Sequence, residues 1–231
     1  MKYPTLQELL EAGVHFGHRA SRAHPKMKPF IYGVRDGVSI IDLTLSEKFL
    51  KEACEFVSGL SKNNEILLFV GTKKQAQDLV SELAKKIGAP YLNNRWVGGF
   101  LTNFDIVQNN VKKLKDLREQ KEKGELEKYT KKEQLLLDRE IARLERDYGG
   151  VLDLVVKPAA LFIIDAVKEK TAVNEARRLG LPIVAITDSN CDISLIDYPI
   201  PGNDDAIKSI KILVETVVGA YEEGKKSQKV V

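Results

Sequence analysis

Short apolar runs rich in β-branched residues alternate along this chain with amphipathic segments, and this alternation restricts the possible folds more than any other feature. The clearest runs are EILLFVG (65–71), LFIID (161–165) and PIVAIT (182–187), each the length of a buried strand. In the segments between such runs, apolar residues recur every three to four positions, as from Phe49 to Ala53. Strands that alternate with helices in this way form a parallel sheet with helices on both faces. We therefore predict a doubly wound α/β domain.

Local signals indicate where several helices and two further strands begin. The stretch from Thr44 to Glu47 has the residues of a capping box, in which a hydroxyl and a carboxylate satisfy the first backbone N–H groups of a helix. Thr72 and Asn203 are predicted to cap the next helix and the last one. FIYGV (30–34) and VSIID (38–42) flank a turn-forming Arg-Asp-Gly, which predicts a strand pair.

Residues 104–148 interrupt the α/β pattern. Between Lys112 and Asp147, 22 of 36 residues are charged, which is too many for a segment packed between sheet layers. Two stretches nevertheless have apolar residues at spacings of three and four, one on each side of Gly124: Val107, Val111 and Leu114, then Leu137, Ile141, Leu144 and Tyr148. We predict an antiparallel coiled-coil hairpin whose second helix begins with a capping box at 130–133 and ends at Gly149-Gly150.

These boundaries divide the chain into three parts. Residues 1–103 and 149–225 form the α/β domain, which includes the N-terminal basic segment; residues 104–148 form the inserted hairpin, and residues 226–231 a disordered tail. A charged projection of this kind suits contact with a large partner. A solvated helix pair without any partner is the other interpretation, and the sequence leaves it open.

The positive charge of the chain is concentrated rather than large. The net charge is +3, but the stretch from Arg19 to Arg35 contains five basic residues and no acidic one. Such clusters are where contacts to phosphate groups are expected. The start MKYPTLQELL lacks the features of a signal peptide, and no apolar run approaches the roughly 20 residues that span a bilayer. We expect a cytoplasmic protein with no membrane partner.

No motif for nucleotide binding or catalysis is present. The strand at 65–71 runs into GTKKQAQ, but this turn is neither G-x-G-x-x-G nor G-x-x-x-x-G-K-[ST], so a phosphate cradle is disfavoured. Lys73 and Lys74 in this turn are candidates for contact with a nucleic-acid backbone. There is no G-x-S-x-G elbow, and Cys54 and Cys191 form no CxxC pair, which predicts reduced core thiols. We predict that the chain is not an enzyme and has no small-molecule substrate.

All three histidines lie in one basic stretch, GVHFGHRASRAHPKMKPF (13–30). A zinc site formed by His15, His18 and His24 would need further His or Cys ligands, so local packing or hydrogen bonding is the favoured interpretation. A second hypothesis is a divalent cation at the C-terminal edge of the sheet, with four candidate ligands: His18, Asp188, Asp204 and Asp205. No other cofactor is predicted.

RWVGGFLTNF (95–104) combines a cation, the only tryptophan, two glycines and two side chains that can hydrogen-bond sugar or phosphate. Trp96 is suited to stacking on an exposed base, although a single tryptophan is also a frequent packing anchor. Thr102 and Asn103 either contact the nucleic acid or cap the first helix of the hairpin. Together with Arg95, these residues are our candidates for RNA contact in this stretch.

Several long stretches resemble, in the same order, one family: the bacterial small-subunit ribosomal protein S-two family. The stretches are LLEAGVHFGHRASRAHPKMKPFIYGVRDGVSIIDL, ILLFVGTKKQAQ, NNRWVGGFLTNF, ALFIIDAVKE with TAVNEARRLGLPIVAITDSN, and IDYPIPGNDDAIKSI. The resemblance implies a flavodoxin-like three-layer α/β/α domain with an inserted coiled-coil hairpin. It also implies a structural role on 16S ribosomal RNA near the junction of head and body, among other small-subunit proteins. In bacteria the family helps to attach ribosomal protein one, which recruits messenger RNA.

One position departs from the family pattern. Where the family commonly has Arg-Trp-Asn-Pro-Lys-Met, this chain has Arg22-Ala-His-Pro-Lys-Met27, so an aromatic residue is lost and His24 is new. The resemblance still implies that Arg22, Lys26 and Lys28 contact the RNA backbone. Our candidate RNA-binding residues are Arg19, Arg22, Lys26, Lys28, Arg35, Lys73, Lys74, Arg95, Trp96, Thr102 and Asn103. The alternative prediction is a nucleotide-binding α/β enzyme that uses the turn at Gly71.

Overall fold

The N-terminal part of the chain forms a short helix and a small antiparallel sheet. The computed structural model describes residues 3–228. Helix α1 (Leu6–Glu11) is followed by strands β1 (Phe16–Arg19), β2 (Ile31–Arg35) and β3 (Val38–Ile41), which pair in the order β1-β3-β2. The predicted strand pair at 30–34 and 38–42 is confirmed as β2 and β3. Strand β1 is not predicted from the sequence, because its four residues, FGHR, show no apolar alternation.

Five parallel strands form the main sheet. They are β4 (Leu67–Val70), β5 (Tyr91–Leu92), β6 (Ala160–Ile164), β7 (Ile183–Thr187) and β8 (Tyr198–Pro201). Their order, β5-β4-β6-β7-β8, is that of a flavodoxin-like sheet, in which the strand order reverses direction between β4 and β6. The predicted strands at 65–71, 161–165 and 182–187 are confirmed as β4, β6 and β7.

Helices cover both faces of the main sheet. On one face, α2 (Leu43–Lys62), α3 (Gln77–Ile87) and α7 (Ile207–Gln228) share a core with Leu67 and Phe69 of β4. On the other face, α6 (Lys170–Arg178) and the start of α4 (Phe104–Glu122) share a core with Leu68 and Val70. Every position of β6 and β7 is buried, which explains their unbroken apolar sequences. The predicted three-layer α/β/α fold is confirmed.

Three predicted helix starts are wrong. Asp42 caps α2, because its carboxylate accepts a hydrogen bond from the Thr44 backbone N–H at 2.8 Å. The helix predicted to start at Thr72 begins at Gln77, and the Thr72 hydroxyl donates to a buried carboxylate on another segment. The last helix begins at Ile207, and the Asn203 side chain accepts hydrogen bonds from the turn before it. Residue types that cap helices also favour turns, so the sequence does not separate the two uses.

Helices α4 and α5 (Lys131–Tyr148) run side by side in opposite directions. The Asn110 side chain donates to the Tyr148 hydroxyl at 3.2 Å near one end, and Lys121 lies 2.7 Å from Asp138 near the other. The predicted apolar seam is buried except for Leu137, which is half-buried. The predicted capping box at 130–133 is confirmed. Supercoiling of the pair into a coiled coil and the domain limits at 104 and 148 stay predictions.

The predicted C-terminal tail needs one correction. The sequence predicts a disordered tail from residue 226, whereas α7 continues to Gln228. Residues 229–231 lie outside the described residues. Among the helices of residues 3–228, none has both the length and the apolar character needed to cross a membrane.

Candidate nucleic-acid interface

The basic segment 13–30 lies against the C-terminal edge of the main sheet. The backbone N–H of His18 donates to the Asp188 carboxylate at 3.1 Å and to the Ser189 hydroxyl at 2.8 Å. The His24 N–H donates to the Ser189 carbonyl at 2.8 Å. A Cβ atom at Gly17 would lie 2.8 Å from Ser189 Oγ, so this close approach requires glycine. Because Asp188 and Ser189 directly follow β7, these contacts hold the segment at the end of that strand.

Most predicted cations of this segment are exposed. Three of them make no ion pair within residues 3–228: Arg19, Arg22 and Lys28. Arg35, whose side chain is 86% exposed, is the last residue of β2 and directly precedes the β2–β3 turn. The Ala20 N–H donates to the Gly37 carbonyl at 2.9 Å, so this turn lies beside Arg19. Lys26 differs, because its Nζ donates to the Ser194 hydroxyl at 2.6 Å and lies 3.2 Å from the Asp192 carboxylate.

His24, the residue that departs from the family pattern, caps a short 3-10 helix at Pro25–Phe30. Its Nδ1 accepts a hydrogen bond from the Lys26 backbone N–H at 3.3 Å. Its Nε2 lies 4.0 Å from the Asp192 carboxylate. Asparagine, which the resemblance implies for this position in the family, is also a good capping residue. His24 therefore fills a position that either residue type can cap.

Lys73 lies at the centre of an acidic cluster at the same edge of the sheet. Its side chain is 13% exposed, and its Nζ is 3.2 Å from Asp165, 2.7 Å from Asp204 and 2.6 Å from Asp205. Burial alone would lower the pKa of Lys73, but hydrogen bonds to Asp204 and Asp205 raise it above its ordinary value. Burial, with the nearby Asp165 charge, raises the pKa of Asp204 to about 7. Lys73 thus has protein carboxylates as partners, whereas the neighbouring Lys74 is exposed.

The four residues considered as cation ligands do converge. One ligand atom from each of them lies within 4.8 Å of the others: His18, Asp188, Asp204 and Asp205. His18 Nδ1 is 2.9 Å from the Asp188 carboxylate, and this hydrogen bond is the main reason that the pKa of His18 is raised. Lys73 already supplies positive charge to Asp204 and Asp205. A bound cation at this place stays a hypothesis.

An ion pair lies at the crevice between β4 and β6, where flavodoxin-like sheets bind their ligands. Lys73, which follows β4, pairs there with Asp165, which follows β6. A Cβ atom at Gly71 would lie 2.8 Å from a methyl group of Val80, so this glycine permits strand and helix to pack closely. The geometry therefore gives Gly71 a packing role in place of phosphate binding.

A single buried carboxylate organises the RWVGGFLTNF loop. Glu175 on α6 accepts four hydrogen bonds from N–H groups of this loop: Trp96 Nε1 at 3.0 Å, and the backbone of Gly99 at 2.8 Å, Leu101 at 3.0 Å and Thr102 at 3.2 Å. Trp96 is only 8% exposed, which leaves no face on which a base could stack. The role of Glu175 is not predicted from the sequence, because a glutamate on an amphipathic helix has the pattern of a solvent-exposed residue.

The remaining polar residues of this loop are at the surface. Arg95, Thr102 and Asn103 are exposed, and the Thr102 hydroxyl donates to Glu175 at 3.2 Å. The Asn103 side chain makes no capping hydrogen bond to α4, so the predicted capping role is wrong. Arg95 follows β5 and Lys74 follows β4, and these two strands are neighbours in the sheet. Both cations therefore lie at the edge that also holds the basic segment.

Comparison with known proteins identifies the family. A family model described as ribosomal protein S2 matches residues 9–224. The chain belongs to the ribosomal protein S2 family. It is 47% identical over 229 residues to the small ribosomal subunit protein uS2 of Coprothermobacter proteolyticus, covering 99% of this chain and 85% of that protein. The protein of the same name from a Nitratiruptor species is 49% identical over 221 residues, which are 96% of this chain and 83% of that protein. The one from Geotalea uraniireducens is 49% identical over 226 residues, which are 98% of this chain and 88% of that protein.

Membership of the ribosomal protein S2 family confirms the resemblance found in the sequence. The family consists of structural ribosomal proteins, which confirms that the chain is not an enzyme. The alternative prediction of a nucleotide-binding enzyme is therefore wrong. Within this family, the exposed cations at the C-terminal edge of the main sheet form the candidate nucleic-acid interface.

Proposed function

We propose that this protein is a structural constituent of the cytoplasmic small ribosomal subunit and binds 16S ribosomal RNA with the C-terminal edge of its main sheet. The observation that carries the proposal is the attachment of the basic segment 13–30 to the residues after β7. Lys74 and Arg95 follow other strands that end at the same edge. Three separate parts of the chain thereby present cations together.

At this edge of the sheet most carboxylates are nearly buried, whereas the cations of the basic segment are exposed. Three carboxylates are nearly buried and contact Lys73 or His18: Asp165, Asp188 and Asp204. Asp205 is 54% exposed, but it contacts both Lys73 and His18. Arg22 and Lys28, in contrast, are exposed and have no carboxylate partner within the described chain. A polyanion at this edge meets uncompensated positive charge, and cation–phosphate contacts of this kind supply much of the affinity for RNA.

The proposed RNA contacts are the exposed polar residues of the interface: Arg19, Arg22, Lys26, Lys28, Arg35, Lys74, Arg95 and Asn103. Lys73 and Trp96 support this surface from below, since both are largely buried and have protein partners. Thr102 has both functions, because it is exposed and also donates to Glu175.

A pair of double variants tests the RNA interface. Arg22→Gln with Lys28→Gln removes two charges that take part in no described ion pair, so we expect the fold to persist. Lys86→Gln with Arg178→Gln is the matched control, because these exposed cations come shortly before β5 and β7, at the opposite edge of the sheet. In competition with wild type for assembly into small subunits, we expect the first variant to be depleted roughly tenfold. The control should match wild type.

Two results count against the proposal in different ways. Equal incorporation of both double variants would remove this edge as the RNA interface. Failure of the wild-type protein to sediment with small subunits would remove the ribosomal role itself.

We also propose that neighbouring small-subunit proteins, among them ribosomal protein one, dock on the N-terminal part of the molecule. A groove of about 380 Å³ lies between α1 and the β2–β3 pair, and its lining is mostly apolar. Leu10 and Tyr32 in this groove are 52% and 81% exposed. Exposed apolar side chains grouped in one groove are typical of protein–protein contacts.

Protein composition of assembled subunits tests this docking site. Leu10→Ser with Tyr32→Ser should lower the amount of ribosomal protein one in small subunits, while the amount of the variant itself stays unchanged. The control is Val155→Ser with Leu179→Ser, which alters two other exposed apolar residues. Quantitative mass spectrometry of purified subunits gives the readout, and unchanged composition in the first variant would contradict the site.

A further inference from the structure

The carboxylates of α5 all have partners within the protein. Three of them pair with cations of α4: Asp138 with Lys121, Glu145 with Arg118 and Glu140 with Lys113. Glu133 completes the capping box at the start of α5, and the buried Asp147 pairs with Arg146. The acidic charge of α5 is therefore used in holding the helix and its neighbour in place.

The outer face of α5 carries cations and no acid. At 3.6 residues per turn, eight exposed residues fall within an arc of roughly 140°. They are Lys131, Lys132, Leu135, Leu136, Arg139, Ala142, Arg143 and Arg146. Lys131, Lys132 and Arg139 make no ion pair with any described residue. With a rise of about 1.5 Å per residue, the cations extend over ~22 Å along the helix.

The outer face of α4 has a different composition. Asp105, Asp116 and Glu119 are exposed there, on the same side of the helix as Lys112. Acidic and basic residues are thus mixed on α4, although both helices are highly charged. The helix pair consequently has one side, that of α5, which attracts a polyanion.

From this separation of charge we infer that the outer face of α5 is a second RNA-binding surface, which contacts the phosphate backbone of ribosomal RNA. A row of cations without any acid complements an extended chain of phosphates. Arg139, which makes no described ion pair, can bind phosphate oxygens through two parallel hydrogen bonds. Arg143 and Arg146 contact Glu140 and Asp147. The cations free to bind phosphate are therefore Lys131, Lys132 and Arg139. The inference rests on the proposed function, since it requires assembly with ribosomal RNA, and it adds a surface formed by a different part of the chain.

A protein is the other class of partner that this face has to be compared with. Leu135 and Leu136 are 51% and 54% exposed and lie near the start of α5. The cations, however, continue beyond them from Arg139 to Arg146, where the only apolar side chain on this face is Ala142. The row of cations is therefore longer than the apolar patch, and this arrangement fits RNA better than it fits a protein.

The salt dependence of binding tests the inference with the full-length chain. Lys132→Gln with Arg139→Gln removes two α5 cations, and Lys112→Gln with Lys115→Gln removes two exposed cations of α4 as the matched control. The probe is small subunits from which this protein has been washed away. The logarithm of the binding constant falls with the logarithm of salt concentration in proportion to the phosphates neutralised. We expect the α5 variant to lose about one to two units of this slope and about tenfold in affinity at low salt. The control should keep the wild-type slope.

A probe attached to the helix identifies the partner directly. Burial raises the pKa values of Cys54 and Cys191 to about 12, so an introduced surface cysteine is the thiol that reacts with a label. We expect an iron chelate on Ala142→Cys to cleave ribosomal RNA in assembled subunits, and the same label on Asp116→Cys to cleave it much less.

The outcomes separate the inference from the proposed function. If wild type binds the washed subunits but the α5 and α4 variants behave alike, the inference alone is overturned. It is also overturned if a crosslinker at position 142 captures a ribosomal protein while the chelate there cleaves no RNA. If wild type does not bind the subunits at all, the proposed function and the inference both fail.

Discussion

The indole N–H of Trp96 donates a hydrogen bond to the Glu175 carboxylate at 3.0 Å, and both side chains are buried. The two residues come from different segments, the loop after β5 and helix α6. Among the described residues no lysine or arginine pairs with Glu175. Burial raises its pKa, but the hydrogen bonds from Trp96 and from the loop backbone outweigh this effect, so the pKa lies below its ordinary value. The negative charge is thus stabilised by N–H groups and the Thr102 hydroxyl, without a partner cation among the described residues.

Glu175→Gln is expected to destabilise the fold. The substitution removes the charge and turns one acceptor into an NH₂ donor that faces other donors, which leaves buried N–H groups without partners. We expect the free energy of unfolding in urea at neutral pH to fall by about 2–3 kcal/mol. Trp96→Phe, which removes a single donor, should cost less. A Glu175→Gln protein as stable as wild type would show that the loop does not depend on this carboxylate.

The same variant should change the response to acid. Because the folded-state pKa of Glu175 is lowered, its contribution to stability is present above the ordinary pKa of 4.5 and is lost as the pH falls through the folded-state value. We expect wild type to lose more stability than Glu175→Gln when the pH is lowered from about 5 to 3. Urea titrations across this range measure the difference, and parallel curves for the two proteins would contradict it.

The acidic cluster around Lys73 predicts a pH dependence of opposite sign. The pKa of Asp204 is raised from 3.8 to about 7, so between these values the folded protein holds a proton that the unfolded chain has released. Stability therefore falls as the pH rises through this window. The raised pKa of His18 acts in the same direction, since its contribution is present below 6.5 and is lost as the pH passes the folded-state value.

Asp204→Asn should flatten this dependence. The amide keeps the size of the side chain but does not titrate, so the loss of stability between about pH 4 and 7 should shrink by up to about 1.4 kcal/mol per pH unit. Asp153→Asn, at a fully exposed carboxylate, is the control and should follow the wild-type curve. Unfolding in urea at a series of pH values measures both. An Asp204→Asn curve parallel to wild type would show that Asp204 does not titrate in this window.

The sequence predicts those elements of the fold that are determined by residues close together in the chain. β6 and β7 are recognisable because burial on both faces demands unbroken apolar runs. β5 has only two residues, and β8 is YPIP, in which prolines obscure the strand signal. The partners of Lys73 come from segments after β6 and β8, so nothing near GTKKQAQ in the sequence indicates that this lysine is largely enclosed. The exposed cations of the candidate interface can be chosen from the sequence, whereas the contacts that hold them in place depend on tertiary structure.

Because α2 is capped by Asp42, substitutions at Asp42 and at Thr44 should lower stability by different amounts. The Asp42 carboxylate accepts hydrogen bonds from both the backbone N–H and the hydroxyl of Thr44, at 2.8 and 2.6 Å. Asp42→Ala should lower the free energy of unfolding by about 1 kcal/mol, the usual cost of losing a helix cap. Thr44→Ala should cost less, because the backbone N–H bond remains. Urea unfolding measures both changes. If the two variants lose the same free energy of unfolding, Thr44 contributes to the cap as much as Asp42 does.

The close approach of Gly17 to the end of β7 allows the attachment of the basic segment to be tested apart from its charge. An alanine Cβ would lie 2.8 Å from Ser189 Oγ and 3.1 Å from Asp188 Oδ1, so in Gly17→Ala the segment must move away from the sheet edge. We expect weaker assembly into small subunits, although every cation is retained. Gly33→Ala is the control, because a Cβ there has no atom within 4 Å. Adding Ser189→Gly to Gly17→Ala removes the two closest atoms and should partly restore assembly. If Gly17→Ala assembles as well as wild type, then the cations alone, and not their fixed position on the sheet edge, account for binding.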